Sequence, residues 1–234
     1  MLEVKSQKSR KTANRVTQFL EPKENGDGDK KEQIKIKPLR QKVIALKITG
    51  TAPYMQMRFS KKAAEKMRAT QEAGSQGKSK KEREARDFEQ NFRDAQYLFA
   101  DGGHGMPANS FRQAMISACR TVGYRMTLAK LSLFIEADGP DALDATPLLR
   151  IEGKPVMDIR PARNANGGTD LRSRPLWKEW SAVVRVRFDE DQFSASDVVN
   201  LMIRVGCQVG IGEGRPDSRM SAGMGFGLFS VEPA

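Results

Sequence analysis

Cysteine and histidine are scarce in this sequence of 234 residues, which contains two cysteines and one histidine. Two cysteines cannot form a disulfide framework, and one histidine with them cannot supply the four ligands of a structural zinc site. The composition therefore excludes a disulfide-rich secreted domain and a zinc-binding domain. We expect neither a metal ion nor any other cofactor.

Long apolar runs are also missing, since no stretch approaches the roughly 18 apolar residues that a membrane-spanning helix requires. Aromatic residues make up only 7% of the sequence. The segment Met1 to Lys11 lacks the apolar stretch of a secretion signal. We therefore expect a cytoplasmic protein of a reducing compartment, with no membrane partner.

Acidic residues are in deficit, because 40 lysines and arginines face 29 aspartates and glutamates, a formal net charge of +11. Residues 1–95 hold 24 basic and 13 acidic residues, a net charge of +11, whereas residues 96–234 hold 16 of each. In that balanced part 13 of the 16 basic residues are arginine, the side chain that forks onto phosphate and stacks on bases. A nucleic acid is therefore the partner that the charge favours.

The order of apolar patterns predicts a fold of the α+β class. Residues 1–34 are polar and charged and are expected to form a basic arm, followed by one domain over residues 35–234 with a charged helical insertion at 60–95. The domain is expected to run strand, helix, strand, strand, helix, strand. This order is that of a ferredoxin-like or RNA-recognition-like fold, an antiparallel sheet with two backing helices.

The strands and helices of this fold are predicted at particular segments of the sequence. Lys35–Gly50 is predicted as the first strand, with Val43 and Ala45 inward and Leu46 and Ile48 as further candidates. Further strands are predicted at 129–137, 148–151, 156–160, 177–188 and 223–231. Helices are predicted at 61–70, 80–93, 107–120 and 197–206, and both cysteines are read as small core residues within helical patterns.

A glycine-rich segment between the last helix and the last strand is the most specific motif. It reads Val209-Gly-Ile-Gly-Glu-Gly-Arg-Pro-Asp-Ser-Arg-Met-Ser-Ala-Gly-Met-Gly-Phe-Gly-Leu-Phe229. Glycines let a backbone approach a ligand closely, so such a loop can hold phosphates with its N–H groups. Arg215 and Arg219 add positive charge beside it. A plain glycine-rich turn remains the alternative interpretation.

This segment resembles the glycine-rich loop of the RAMP superfamily of CRISPR effector proteins. The run Met106-Pro-Ala-Asn-Ser-Phe-Arg-Gln-Ala-Met115 is similar to the motif that opens the first helix of that family. The resemblance extends over about Lys42 to Val231 and is greatest to the backbone subunits. It implies an RNA-recognition-like core whose copies polymerise along a guide RNA within an antiviral ribonucleoprotein. The charged insertion and the basic arm are not explained by it.

The candidate nucleic-acid-binding residues follow from these motifs. By the resemblance, Ser110 and Arg112 lie near phosphates at the start of the first helix. Arginines flank the polar loop Asn164-Ala-Asn-Gly-Gly, and one of two tryptophans is expected in the core while the other stacks on a base. The full set is Arg58, Ser110, Arg112, Arg160, Arg163, Arg172, Arg174, Trp177, Gly212, Gly214, Arg215, Arg219, Gly223 and Gly225.

The function expected from these features is non-enzymatic binding of single-stranded nucleic acid, RNA rather than DNA, by copies of the protein that associate along the strand. Two alternatives stay open. One is an RNA endonuclease of the same fold that uses Asp101 or His104. The other is a phage-encoded protein that coats single-stranded DNA, or a structural subunit that binds proteins only.

Overall fold

Burial along the first strand reveals which of its side chains face the core. The computed structural model describes residues 36–74, 85–163, 168–218 and 221–234. In β1 (Gln41–Gly50), Leu46 and Ile48 are almost fully buried. Val43 is 43% exposed and Ala45 is exposed, so the prediction that these two point inward was wrong. Side chains alternate between the two faces of a strand. Because Leu46 and Ile48 point inward, Val43 and Ala45 lie on the outward face.

The described part of the chain contains strands and helices in mixed order, which confirms the α+β class. The other strands are β2 (Tyr54–Met55), β3 (Tyr97–Leu98), β4 (His104–Pro107), β5 (Leu133–Glu136), β6 (Gly139–Pro140), β7 (Pro147–Glu152), β8 (Val156–Arg163), β9 (Thr169–Trp177), β10 (Ser181–Asp189) and β11 (Phe229–Pro233). The α-helices are α1 (Lys61–Glu72), α2 (Phe88–Asp94), α3 (Ala108–Ala118), α4 (Met126–Ser132) and α5 (Ala195–Arg204).

Four strands form the centre of the larger sheet. β1 pairs with β10 on one side and with β11 on the other, and β10 also pairs with β5. The spatial order is therefore β11, β1, β10, β5, and every neighbouring pair is antiparallel. The first residues of β10 pair with β7, which extends the sheet through β4 to β3. α3 lies between β1 and β5 along the chain, and α5 lies between β10 and β11.

A second, smaller sheet has the order β2, β9, β8. β8 and β9 form a long antiparallel hairpin in which Arg160 lies opposite Arg172, and Asp158 opposite Arg174. β2 joins the base of this hairpin, with Tyr54 opposite Trp177. The smaller sheet therefore carries a ladder of charged residues along the hairpin, while its base, at Tyr54 and Trp177, is buried in the core.

The two long helices that back the core bury the residues that their spacing predicts. In α3 the side chains of Phe111 and Met115 are fully buried, and in α5 Val198 and Met202 are fully buried. α5 begins with a capping box in which the Ser194 side chain accepts from the third backbone N–H of the helix. The predictions of both helices are confirmed.

Several sequence-based boundaries were wrong. The segment 129–137, predicted as one strand, is the end of α4 followed by β5, because Ala129 and Ser132 are buried on a helical turn before the chain extends. The segment 177–188 contains the turn between β9 and β10, since the indole of Trp180 packs against Gly50 and donates from Nε1 to the carbonyl of Ala52 at 2.9 Å.

Three other expectations have mixed outcomes. The last strand begins at Phe229 rather than at residue 223, because the residues before it fold into turns. Cys119 is fully buried as predicted, but Cys207 is exposed on the π-helical turn Val205–Val209. In the charged insertion α1 confirms the first predicted helix. α2 overlaps the second, predicted at 80–93, but residues 85–87 are not helical and residues 80–84 are outside the described part.

None of the helices in the described residues combines the length and the apolar composition that a bilayer crossing requires. The contacts within Leu39–Ala234 make this part of the chain one compact unit.

Replacement of Phe111 tests the position of the core. Phe111→Ala deletes a fully buried ring that lies 6.1 Å from the ring of Phe229, and we expect a loss of about 3–5 kcal/mol in the free energy of unfolding. Phe59→Ala is the matched control because that side chain is 62% exposed, and it should change stability by under about 1 kcal/mol. Urea unfolding measures both, and equal losses would contradict the core described here.

Candidate functional site

A groove joins the two segments that the sequence singled out. The N-terminal half of α3 forms one wall, and the glycine-rich segment from Val209 to Asp217 forms the other. Tyr54, Gln56 and Tyr97 also line the groove, whose volume is about 580 Å³. Ser110, Gly212 and Arg215, which were predicted separately, all line it. The fold thus brings the helix start and the glycine-rich segment to one site.

The start of α3 leaves anion-binding groups available. Pro107 precedes the helix and provides no side-chain cap, and the first turn has no acidic residue. The first N–H groups of a helix lack intrahelical partners, and the helix dipole adds partial positive charge there. Asn109, Ser110 and Gln113 line the groove beside this turn. This wall can accept an anion such as a phosphate.

Three polar groove residues on α3 were missed by sequence reasoning. Asn109, Gln113 and Ser117 line the groove together with Ser110. Their spacing of three to four residues places them on one face of the helix. A search for polar residues repeating at helical spacing opposite the buried Phe111 and Met115 would have found them.

The glycine-rich segment folds back tightly on its surroundings. At Gly227, φ is +69° and an added Cβ would lie 1.8 Å from the carbonyl oxygen of Ile211. At Gly212, φ is +75° and a Cβ would lie 2.4 Å from the carbonyl oxygen of Met55. No other residue type fits either position. The N–H groups of Ile211 and Glu213 donate to the carbonyls of Gly227 and Met55, so these two groups are not free for a ligand.

The remaining predicted glycines also serve the shape of this segment. Gly223 lies against the backbone of Arg215, and Gly214 lies against the side chains of Met224 and Phe226. Gly225 has no atom within 4 Å of an added Cβ. Predicted Arg219 lies outside the described residues, so the structure assigns it no place.

Asp217 fastens the glycine-rich segment to α3. Its carboxylate accepts from the hydroxyl of Ser117 and, at 2.7 Å, from Nη2 of Arg120. The Ser117 hydroxyl and the Arg120 guanidinium hold the pKa of Asp217 below its usual range. Its backbone N–H also donates to the carbonyl of Val209 at 3.1 Å. These contacts fix the width of the groove.

Two cations and two carboxylates line the groove. The cations are Lys130 and Arg215, and the carboxylates are Glu213 and Asp217. Arg120 neutralises Asp217 from outside the groove. Nη1 of Arg215 donates to the carbonyl of Gly212 at 2.9 Å, and Arg215 lines the groove.

The β8–β9 hairpin adds an arginine face next to the glycine-rich segment. Arg160, Arg172 and Arg174 share one face because Arg160 is paired with Arg172 and strand side chains alternate. The guanidinium of Arg160 is held by both oxygens of Asp158 and lies 5.0 Å from the ring centroid of Phe226. Phe226 belongs to the glycine-rich segment, so the hairpin contacts that segment directly.

Arg174 differs from its neighbours because it is only 6% exposed. Its Nη1 contacts Sδ of Met55 at 3.6 Å, and its Nε has no hydrogen-bond partner. Burial lowers the pKa of Arg174, and Glu213 raises it. Predicted Arg163 ends β8, and its side chain is outside the described part, as is the loop 164–167 beyond it.

Three predicted binding residues have structural roles instead. Arg58 is 8% exposed and pairs with Asp141 at 2.8 Å and with Asp144 at 2.9 Å. Trp177 is completely buried, so it cannot stack on a base, and both tryptophans belong to the core.

The third is Arg112. Its Nε donates to the carbonyl of Leu133 at 2.8 Å, and its guanidinium lies over the ring of Phe134. Arg112 therefore ties α3 to β5. Helical spacing placed it correctly at the start of the helix, but the partner strand determines where its side chain goes.

The two candidate catalytic residues lie apart from the groove. Asp101 is exposed and accepts from Nη2 of Arg150 at 2.6 Å, a bond that keeps its pKa below the usual range. Burial lowers the pKa of His104, whose ring packs edge-on against Trp177 at 5.8 Å. Neither residue lines the groove. Within the described residues there is also no group of histidine, cysteine, aspartate and glutamate side chains that could hold a metal ion.

The chain matches no protein-family model, and it matches no curated protein.

Replacement of Gly227 tests the close backbone approach. Gly227→Ala would press a methyl group against the Ile211 carbonyl oxygen, whereas Gly225→Ala, at a similar φ of +74°, would meet no atom within 4 Å. We expect Gly225→Ala to lower the free energy of unfolding by about 1–2 kcal/mol from backbone strain. Gly227→Ala should lower it by at least about 2 kcal/mol more. Urea unfolding of both variants checks this, and equal losses would exclude the close contact.

Replacement of Asp217 tests its role in fastening the segment. Because the folded pKa is lowered, its contribution to stability is present above the unfolded value of about 3.9 and is lost as the pH falls through the folded pKa. Asp217→Asn should therefore be less stable than the wild type at pH 7, with a difference that shrinks below about pH 4. Asp191→Asn, in an exposed pair with Arg40, is the control. A difference independent of pH would contradict this role.

Proposed function

We propose that the protein binds single-stranded nucleic acid, RNA in preference to DNA, without cleaving it. The observation that carries this proposal is the groove in which Ser110, Gly212 and Arg215 meet. The uncapped first turn of α3, its polar side chains and Arg215 line the same groove, and N–H groups, polar side chains and guanidinium groups are what bind phosphates. Contacts of this kind hold the backbone of a strand and are tolerant of its sequence.

The arginine face continues this surface beyond the groove. Arg160 and Arg172 lie on the hairpin that contacts the glycine-rich segment through Phe226. A strand that leaves the groove along this side meets guanidinium groups in succession. The excess of basic residues in the first 95 residues adds long-range attraction for a polyanion.

We further propose that the fold is the ferredoxin-like plan of RNA-recognition modules. The antiparallel order β11, β1, β10, β5, with α3 and α5 as the two crossover helices, supports this assignment. The remaining strands and α1, α2 and α4 are then insertions into that plan.

The resemblance to RAMP backbone subunits gains support from the groove, because its two motifs form the two walls. On this basis the protein assembles with copies of itself along an RNA, as one subunit of a cytoplasmic ribonucleoprotein of the CRISPR type. A strand-coating subunit needs phosphate contacts repeated in every copy, and one groove per chain provides them.

An endonuclease is the less favoured function. Asp101 is held as a carboxylate by Arg150, and His104 packs against Trp177. Neither faces the groove where the strand is proposed to lie.

Binding of labelled oligonucleotides tests the proposal. Wild-type protein should bind 30-nucleotide single strands of different sequence with similar affinity, and RNA more tightly than DNA, by fluorescence anisotropy. Binding should weaken steeply with salt because each neutralised phosphate releases counterions. Arg215→Gln should weaken binding about tenfold, or ~1.4 kcal/mol, for all sequences and reduce the salt slope by about one.

Arg204→Gln is the matched control, because Arg204 lies in the last turn of α5 and does not line the groove. It should change affinity by less than about twofold, a free-energy difference of ~0.4 kcal/mol. The proposal fails if neither RNA nor DNA binds at low salt, or if Arg215→Gln binds as the wild type does. Cleavage products that disappear in a variant lacking Asp101 and His104 would favour the endonuclease.

A further inference from the structure

Two arginines in the described part of the chain are more than nine-tenths buried, and they have opposite environments. Arg58, 8% exposed, pairs with the carboxylates of Asp141 and Asp144. The Nε atoms of both arginines lack a hydrogen-bond partner, so the difference lies in their ion pairs. Arg174, 6% exposed, is held by no ion pair with any described residue, and its Nη1 donates only to Sδ of Met55. A buried charge is costly unless it is paired and hydrogen-bonded. Arg58 is compensated within the protein, whereas Arg174 is not.

The carboxylates near Arg174 do not satisfy it. Asp158 lies opposite Arg174 in the ladder, but both of its oxygens are taken by Arg160. Glu213 acts on Arg174 through space without forming an ion pair with it, and Arg160 and Arg172 repel it. Arg174, the most buried guanidinium of this face, therefore has no ion-pair partner among the described residues.

The burial of Arg174 restricts the kind of anion that can reach its guanidinium. A guanidinium donates two parallel hydrogen bonds to a phosphate, and a sulfur atom such as Sδ of Met55 is only a weak acceptor. Because only 6% of Arg174 is exposed, we expect an internal phosphodiester, which continues as a chain on both sides, to approach it less readily than the end of a strand. A terminal phosphate has three free oxygens and one substituent, and it can insert end-on.

We propose that Arg174, supported by Arg160 and Arg172, binds a phosphomonoester, the terminal phosphate of a nucleic-acid strand. This inference rests on the proposed function, because the strand in the groove is what brings its end to the hairpin. Phe226 and Met224 of the glycine-rich segment contact Arg160, so the terminal-phosphate site borders the second wall of the groove. The protein then recognises the end of a strand as well as its backbone.

Strands that differ only at their ends test the proposal. The same 20-nucleotide RNA is prepared with a 5′-phosphate, with a 3′-phosphate, or with hydroxyl groups at both ends, and its affinity is measured by anisotropy. We expect one phosphorylated form to bind about tenfold more tightly than the hydroxyl form. In Arg174→Met the ratio of the two affinities should fall to about one. Arg204→Gln, the control, should keep the wild-type ratio.

Arg174→Lys is the second variant, since lysine keeps the charge but loses the fork, and it should retain only part of the preference. The unfolding temperature of the protein without nucleic acid distinguishes a phosphate-binding role of Arg174 from a structural role. Arg174→Met should unfold at the same temperature as the wild type or higher, because it removes an unpaired buried charge. Arg58→Met should unfold at a lower temperature, because it leaves two carboxylates without their partner.

Addition of inorganic phosphate shows whether the site takes a strand end or free phosphate. It also separates a failure of this site from a failure of the proposed function. Thermal stabilisation of the wild type but not of Arg174→Met by phosphate, with no preference for a phosphorylated strand, would assign the site to free phosphate and overturn its role in strand ends. Equal binding of all three strands, without stabilisation by phosphate, would overturn the site and leave the proposed function intact. Stabilisation by poly-glutamate alone would assign Arg174 to an acidic protein partner. If no strand binds and phosphate has no effect, both proposals fail.

Discussion

The close approach of the glycine-rich segment to β2 is the contact on which the candidate site depends. The N–H of Gly227 donates to the carbonyl of Pro53 at 2.8 Å, and the N–H of Glu213 donates to that of Met55 at 2.8 Å. Gly212 has no space for a Cβ in this arrangement. Without these contacts the segment would not form a wall opposite α3. The glycines therefore determine the groove mainly by packing, and only secondarily by approach to a ligand.

The arginines of this protein fall into groups that burial and pairing distinguish. Arg58 and Arg112 are engaged by carboxylates or carbonyls of neighbouring elements and hold the fold together. Arg215 lines the groove and makes one hydrogen bond to a backbone carbonyl, and Arg174 is buried without a carboxylate partner. An arginine that the protein itself satisfies has little free energy to offer a ligand, whereas an unsatisfied one gains a partner on binding. The pairing of each arginine therefore distinguishes structural from binding residues, which the number of arginines in the sequence cannot do.

Much of the fold could be predicted from residue patterns because its main elements are amphipathic. Helical spacing identified α3 and α5, and alternation identified β10. Alternation in β1 gave the wrong face because apolar residues occupy both faces of that strand. The strand predicted at 177–188 included only the last residue of β9, and the rest of β9 was not predicted. Nothing between Trp177 and Ser181 is a strong turn signal. The turn is stabilised by the packing of Trp180 against Gly50 and by its hydrogen bond to the carbonyl of Ala52.

The sequence by itself determined the α+β class, the two main helices and the two motifs that form the groove, because each depends on residues close together along the chain. Only the tertiary structure decided that Ser110, Gly212 and Arg215 share one groove, that Trp177 is inaccessible, and that Arg174 is buried without an ion-pair partner. These properties depend on which side chains and carbonyls lie opposite one another across strand pairings and loops. Local periodicity carries no information about such long-range neighbours.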